Sequence, residues 1–249
     1  MKAIEKFCVL TTQRSGSTLL LSLLGNHQQV KACDELFHPR EPKFLLDQTR
    51  FCQFEKTHPG KRPVLTFKYL DRMAADYSSQ YEAYGFKLMY NQLTRFPEIL
   101  SKLVLDRYKI VHLVRENYID TALSSKLARE NQVFHSTTDT NIKSVYIDPL
   151  WFLKQLKKQD TRVRWADLFL SILPIPSLRI TYDDLCRDPI STIKIILGFL
   201  SISIPENFSP KSEMKKVNQK SYREAIVNFE EVRTALKDTK FYDLLGIDK

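Results

Sequence analysis

The stretch Lys6–Leu24, KFCVLTTQRSGSTLLLSLL, carries the reading on which the fold turns. Its first six residues, Lys6 to Thr11, form a short, mostly apolar run of strand length, and Ser17 to Leu24 reads as a helix. Between them lies only the tight turn Thr12-Gln13-Arg14-Ser15-Gly16. Strand, turn and helix in this order aim the unpaired N–H groups of the first helical turn at one point, with the hydroxyls of Ser15, Ser17 and Thr18 beside them. Such a cup suits a phosphate or a sulfate. Gly16 lets the backbone come close to an oxyanion, and Arg14 adds a permanent cation able to form two parallel bonds to it. The same residues also fit a plain strand-to-helix connection with Ser or Thr as the cap, so the loop alone leaves both readings open.

Outward from this unit the pattern repeats. Val30–Cys33, Gly85–Met89 (GFKLM), Lys109–Val114 (KIVHLV) and Ser177–Thr181 (SLRIT) are further runs of strand length, separated by helical patterns. Two helices have marked starts, Asp148-Pro149 and Asp188-Pro189, where Asp accepts from orphan N–H groups and Pro occupies the first turn. Alternation of this kind predicts an α/β fold with a central parallel β-sheet flanked by helices. At about 150 residues per domain the 249 residues fit one or two domains. No repeat, low-complexity tract or linker marks a boundary, and the expectation is a single domain over 1–249. From Ile204 to Ser221 the chain turns polar and basic, a candidate mobile loop, before a last helical pattern from about Tyr222 to Leu236.

Thirty-eight Lys and Arg against 29 Asp and Glu leave a net charge of +9, which fits an anionic ligand or partner. No stripe of Lys or Arg interleaved with aromatics points to nucleic acid. The cysteines Cys8, Cys33, Cys52 and Cys186 have no CxxC or zinc-site spacing. A reducing, cytoplasmic setting is expected, because no apolar stretch near the start is long enough to span a bilayer and no cleavage site follows. The triphosphatase loop GxxxxGK[ST] is absent, since no Lys precedes Ser17 or Thr18. That departure counts against the alternative of a P-loop kinase-like phosphotransferase, which would need such a Lys and a magnesium-binding carboxylate. The other alternative is a non-catalytic basic module that binds nucleic acid.

The segment TTQRSGSTLLLSLL resembles the 5′-phosphosulfate loop of sulfotransferases that use 3′-phosphoadenosine-5′-phosphosulfate (PAPS), with Gln13 in place of the usual Pro. KIVHLVRENYIDTALSSKLA, from Lys109, is similar to the second motif of that family. GFKLMYNQ, ITYDDLCRDP and NFEEVRTALKDTKFYDLL extend the likeness over nearly the whole chain. Two nucleotide motifs in the right order, roughly a hundred residues apart, are far more specific than either alone. The pattern looks most like the bacterial carbohydrate sulfotransferases of the nodulation-factor and trehalose type. The resemblance implies a P-loop, sulfotransferase-like fold, PAPS as cosubstrate without a metal, and transfer of a sulfuryl group to a hydroxyl of a carbohydrate or glycoconjugate. It places the donor on Arg14, Ser15, Gly16, Ser17 and Thr18, and assigns its 3′-phosphate to Arg115 and Ser124. Read from the residues, Arg115 ends a strand where open α/β sheets bind ligands, and Asn117 is placed to cap the helix carrying Ser124. A surface ion pair of Arg115 with Glu116 or Asp120 is the competing reading.

An alcohol needs a positioned base to take its proton as sulfur is attacked. Glu35 in CDELFHPR is the candidate, supported by the resemblance, with His38 as second choice and Arg14 stabilising charge on the leaving group. Lys87, inside an otherwise apolar strand, either has an anionic partner or faces water from an edge strand. His112 reads as a core histidine, and Trp151, Phe152 and Trp165 as core at helical spacing. The segments Pro39–Tyr84 and Asn131–Asp148 are expected to build the acceptor pocket. The basic run Lys211–Arg223 either closes over the nucleotide or is a solvated loop.

Overall fold

In a computed structural model that describes residues 3–40, 49–131, 143–211 and 221–246, the five apolar runs pair into one sheet. The elements in chain order are β1 (Glu5–Thr11), α1 (Ser17–Leu24), β2 (Val30–Glu35), α2 (Phe51–Thr57), α3 (Arg62–Tyr77), β3 (Ala83–Met89), α4 (Tyr90–Arg95), α5 (Glu98–Leu105) and β4 (Lys109–Val114). They continue with α6 (Tyr118–Asn131), α7 (Pro149–Ile172), β5 (Ser177–Thr181), α8 (Tyr182–Arg187), α9 (Pro189–Phe199), α10 (Tyr222–Ala225), α11 (Phe229–Leu236) and a closing 3-10 turn, Tyr242–Leu245. Two compact units emerge, Met1–Val114 with Phe169–Ser212 and Arg115–Leu168 with Glu213–Lys249.

The first unit holds the sheet, all parallel, in the order β2-β3-β1-β4-β5. Period-two alternation divides its core. Cys8, Leu10, Phe86, Leu88 and Ile110 face a cluster built with α2, α3 and α5, while Phe7, Val9, Val111 and Leu113 face α1, α8 and α9. Gly85 lies opposite Phe7, whose ring fills the space that a Cβ there would need, at 2.4 Å. The chain leaves β1 toward β2 on one side and continues past β4 toward β5 on the other. Their neighbouring carboxyl ends are therefore a switch point of the sheet, where open α/β folds bind ligands.

The second unit has its own core, formed by Ile119, Leu123, Leu127, Phe152, Leu156, Ile226, Phe229, Val232 and Leu236 among others. Two expectations are corrected here. The helical pattern from Tyr222 to Leu236 breaks in two, because Ile226 forms a parallel bridge with Val145 and its neighbours' backbone groups bond there instead of along a helix. Trp165 is 66% exposed and not core, since it stands two residues, about 200° around the helix, from the buried Val163. Phe152 is fully buried, as its spacing predicts. Asp148 and Asp188 cap α7 and α9, accepting from Leu150 and Trp151 N–H and from Ser191 N–H respectively.

Candidate active site

The turn after β1 gathers Arg14, Ser15, Gly16, Ser17 and Thr18 at the carboxyl edge of the sheet. Gly16 is the N-cap of α1 at φ +89°, a backbone that glycine adopts without a steric penalty, and it supplies no capping side chain. The amides of the first turn accordingly have no acceptor within their helix or at its cap. A Cβ at Gly16 would also lie 2.3 Å from the ring of Tyr182, so this glycine is required twice over. Arg14 itself adopts φ +63°, a left-handed conformation that a non-glycine residue keeps only where its surroundings impose it.

The hydroxyl of Thr11 donates to Leu113 O at 2.7 Å, which ties the tip of β1 to that of β4. Its single proton is thereby used, and the 2.5 Å contact with Ser15 must run from Ser15 Oγ to Thr11. The buried Ser15 hydroxyl thus points its proton inward, and what Ser15 can offer an anion is its amide. Ser17 is buried and Thr18 half-buried.

At the tip of β2 the register shifts between Cys33 and Glu35, a bulge at the edge of the sheet. Successive strand residues ordinarily face opposite ways, yet the bulge lets two consecutive carboxylates reach one cation. Lys87 Nζ lies 2.5 Å from Asp34 Oδ1 and 3.4 Å from Glu35 Oε1. Lys87 is 4% exposed on β3, an interior strand, which removes the reading of an edge lysine facing water. Burial opposes ionisation of Asp34, but the adjacent Lys87 ammonium outweighs it and holds the carboxyl below the usual range. The second oxygen of Glu35 accepts from Gln92 Nε2 at 2.9 Å.

His38 lies a turn beyond, its amide donating to Glu35 O at 3.3 Å. Its Nδ1 takes the Arg40 amide at 3.2 Å and Arg50 Nη1 at 3.3 Å. A guanidinium only donates, so Nδ1 holds the lone pair and that lone pair is engaged. His112, as its sequence context predicts, is buried, bonded through Nε2 to the hydroxyl of Tyr90 at 2.6 Å.

In the second unit Arg115 is 7% exposed, and its Nη2 lies 2.5 Å from Asp120 Oδ2. The ion pair with Asp120 forms, but as a buried one instead of a surface one. The other Asp120 oxygen accepts from Tyr222 at 2.7 Å, and Asn117 Nδ2 donates to the Tyr222 hydroxyl at 3.0 Å. Burial, then the Asp120 charge, raises the pKa of Tyr222, which keeps its proton in place for that bond. Asn117 also caps α6 by accepting Asp120 N–H at 3.1 Å, and Ser124 stands half-buried on the same helix. Lys215, Lys216 and Lys220 of the expected basic loop lie outside the described residues, as do 41–48 and 132–142 of the two acceptor segments. Among the described residues no group of three His, Cys, Asp or Glu is placed to hold a metal ion, and no helix is long and apolar enough to cross a membrane.

Tyr182 and Gln92 were not legible as site residues. Tyr182 meets Gly16 from 166 positions away in the chain, and Gln92 meets Glu35 from 57. Only the motif GFKLMYNQ, which ends on Gln92, draws attention to it.

No curated protein matches the chain by sequence. Among solved structures, a sulfotransferase from Alicyclobacillus acidocaldarius is similar in fold, with TM-score 0.53 and 16% identity over 98% of this chain and 93% of that one. Sulfotransferase STF9 from Mycobacterium avium is similar at TM-score 0.51 and 13% identity, over 95% and 76%. The family model described as Stf0 sulphotransferase matches residues 6–231, which takes in the β1 loop, the β2 bulge and the Arg115 motif together. With this match over most of its length, the chain belongs to the Stf0 sulphotransferase family and is a sulfotransferase.

Proposed function

We propose that the protein transfers the sulfuryl group of PAPS to a hydroxyl of a carbohydrate or glycoconjugate by in-line displacement, with Glu35 as general base. The observation that carries this reading is the carboxylate at the tip of β2, fixed at both oxygens in the same sheet unit whose β1 loop offers unpaired amides beside Arg14. In the proposed step the acceptor oxygen forms a bond to sulfur as the bond from sulfur to the 5′-phosphate oxygen breaks. The acceptor's proton passes to Glu35, and 3′,5′-bisphosphoadenosine leaves. Arg14 and the amides from Ser15 to Thr18 stabilise the charge that builds on the leaving phosphate. Arg115 and Ser124 take the 3′-phosphate, with Asp120, Asn117 and Tyr222 holding the guanidinium in orientation. The choice of Glu35 over His38 is supported by the engaged Nδ1 of His38. The carbohydrate acceptor rests on the likeness to the nodulation-factor and trehalose enzymes. We further read residues 1–249 as one functional domain. The four free cysteines support a reducing, cytoplasmic setting.

The test pairs two variants. Arg115→Ala is expected to weaken binding of 3′,5′-bisphosphoadenosine by roughly tenfold or more, as loss of a charge-assisted phosphate contact does. Glu35→Gln should bind it normally and lose about 10²-fold or more in turnover. ATP bound more tightly than the bisphosphate by the unmodified protein would overturn the donor assignment.

A further inference from the structure

Gln92 is buried at the start of α4, immediately after β3, and its amide has one orientation. Oε1 accepts the Met89 N–H at 3.0 Å, a bond that only the oxygen end can make. Nε2 therefore faces Glu35 Oε2, at 2.9 Å. The opposite oxygen, Oε1 of Glu35, lies 3.4 Å from Lys87 Nζ, and Lys87 is anchored in turn on Asp34 at 2.5 Å. Both partners of the Glu35 carboxylate thus come from one short piece of chain, the end of β3 and the first turn after it. The carboxylate projects from a bulged edge strand, where the pairing alone leaves its direction loosely set.

A general base works only when a lone pair is held in reach of the proton it takes, and a hydrogen bond donated to the ionised form keeps that form populated. We propose that Gln92 is a positioning residue for sulfuryl transfer: its amide turns the Glu35 carboxylate so that the remaining lone pairs meet the acceptor's proton, while Lys87 fixes the other oxygen. The inference rests on Glu35 being the base. The charged groups around this carboxylate are Lys87 from β3, Asp34 from β2 and, through its field at Asp34, Arg50 ahead of α2.

Gln92→Glu separates positioning from folding. A glutamate at this third helical position is a normal capping-box partner and can still accept the Met89 N–H, so the start of α4 is preserved. It no longer donates to Glu35 and brings a like charge to about 3 Å, which raises the proton affinity of the pair. The acid limb of the kcat profile should move up by about one pH unit or more, with turnover recovering at higher pH. Below the limb kcat should fall roughly tenfold per unit of displacement, with the KM for PAPS within about twofold of the parent. Gln92→Met, which lacks the donor and the added charge, should move the limb in the same direction by less. An acid limb unmoved in folded samples of both variants would overturn the proposal. Glu35→Gln measured alongside keeps the two readings apart. If it turns over like the parent, the base assignment fails; if it is inactive while the limb in Gln92→Glu stays in place, only the role of Gln92 fails.

Discussion

Arg14 sits at φ +63° in the loop that also needs a left-handed Gly16, and such strain in a non-glycine residue persists where the loop's task demands it. The left-handed region costs an L-residue with a Cβ roughly 1–2 kcal/mol, partly offset in glycine by its greater loss of chain entropy. Arg14→Gly should therefore be about 1 kcal/mol more stable than Arg14→Ala in urea unfolding, while both lose turnover together. Equal stability of the two would mean that the loop relaxes on truncation and that its conformation is not imposed. Most of this loop was legible because its strand, turn and helix lie within one stretch of sequence, Lys6 to Leu24, although Tyr182, which also requires Gly16, does not. Ser15 shows the limit of such local reading. Its hydroxyl looks available in the sequence, and only the strand neighbour of β1 reveals that the proton is used on Thr11, whose own proton goes to Leu113 O.

At the scale of elements, β1, β4, β5 and α1 were readable nearly to the residue; β1 and β4 are the continuous apolar runs that interior parallel strands require, whereas β5 lies at the edge of the sheet and is half polar. The tip of β2 was not. Asp34 and Glu35 look like loop residues, and they belong to the strand because the bulge turns both toward Lys87, whose burial depends on β3 lying between β2 and β1. Order within a sheet is set by packing across the chain, and no local pattern encodes it. This cluster has a measurable signature in Lys87→Met, which keeps the volume and leaves two carboxylates side by side. Asp34 titrates lower in the folded protein than unfolded. Its contribution is therefore present above the unfolded carboxylate pKa, near 3.9, and lost as pH falls through the folded value. The loss on substitution should be about 1–3 kcal/mol at pH 7, reduced from that of a fully buried pair because Asp34 is half exposed and screened. It should shrink toward zero on acidification below the carboxylate range. A loss that is the same at pH 3 and pH 7 would show that packing, not charge, keeps Lys87 in place.

Across the molecule, the parallel sheet separates chemistry from anchorage by its two edges. The β1 loop and the Glu35 carboxylate of the proposed site lie at the carboxyl ends of the strands in the first unit, and an ion cluster ties together the amino ends. Lys6 of β1 and Lys102 of α5 both bond Asp106, just ahead of β4, at 2.7 and 3.1 Å, and Lys102 reaches Asp71 of α3 at 2.5 Å. Burial opposes ionisation of Asp106, but the two lysines prevail and lower its pKa. Burial likewise opposes the charge on Lys102, and its two carboxylate partners raise its pKa in spite of it. The stabilisation from Asp106 is thus complete above about 3.9 and disappears as pH falls through its lower folded value. That from Lys102 is complete below about 10.4 and disappears as pH rises through its higher folded value. Stability of this unit should therefore hold a plateau between those limits and fall away on both sides. Asp106→Asn should lower the plateau and flatten the acid slope, because the titrating group is gone, yet leave kcat and the KM for PAPS unchanged at the far edge of the sheet. Urea midpoints from pH 2 to pH 7 beside steady-state kinetics at pH 7 test both halves. An altered kcat in Asp106→Asn would show that the two edges are mechanically coupled, and an unchanged acid slope would place the acid-labile group elsewhere.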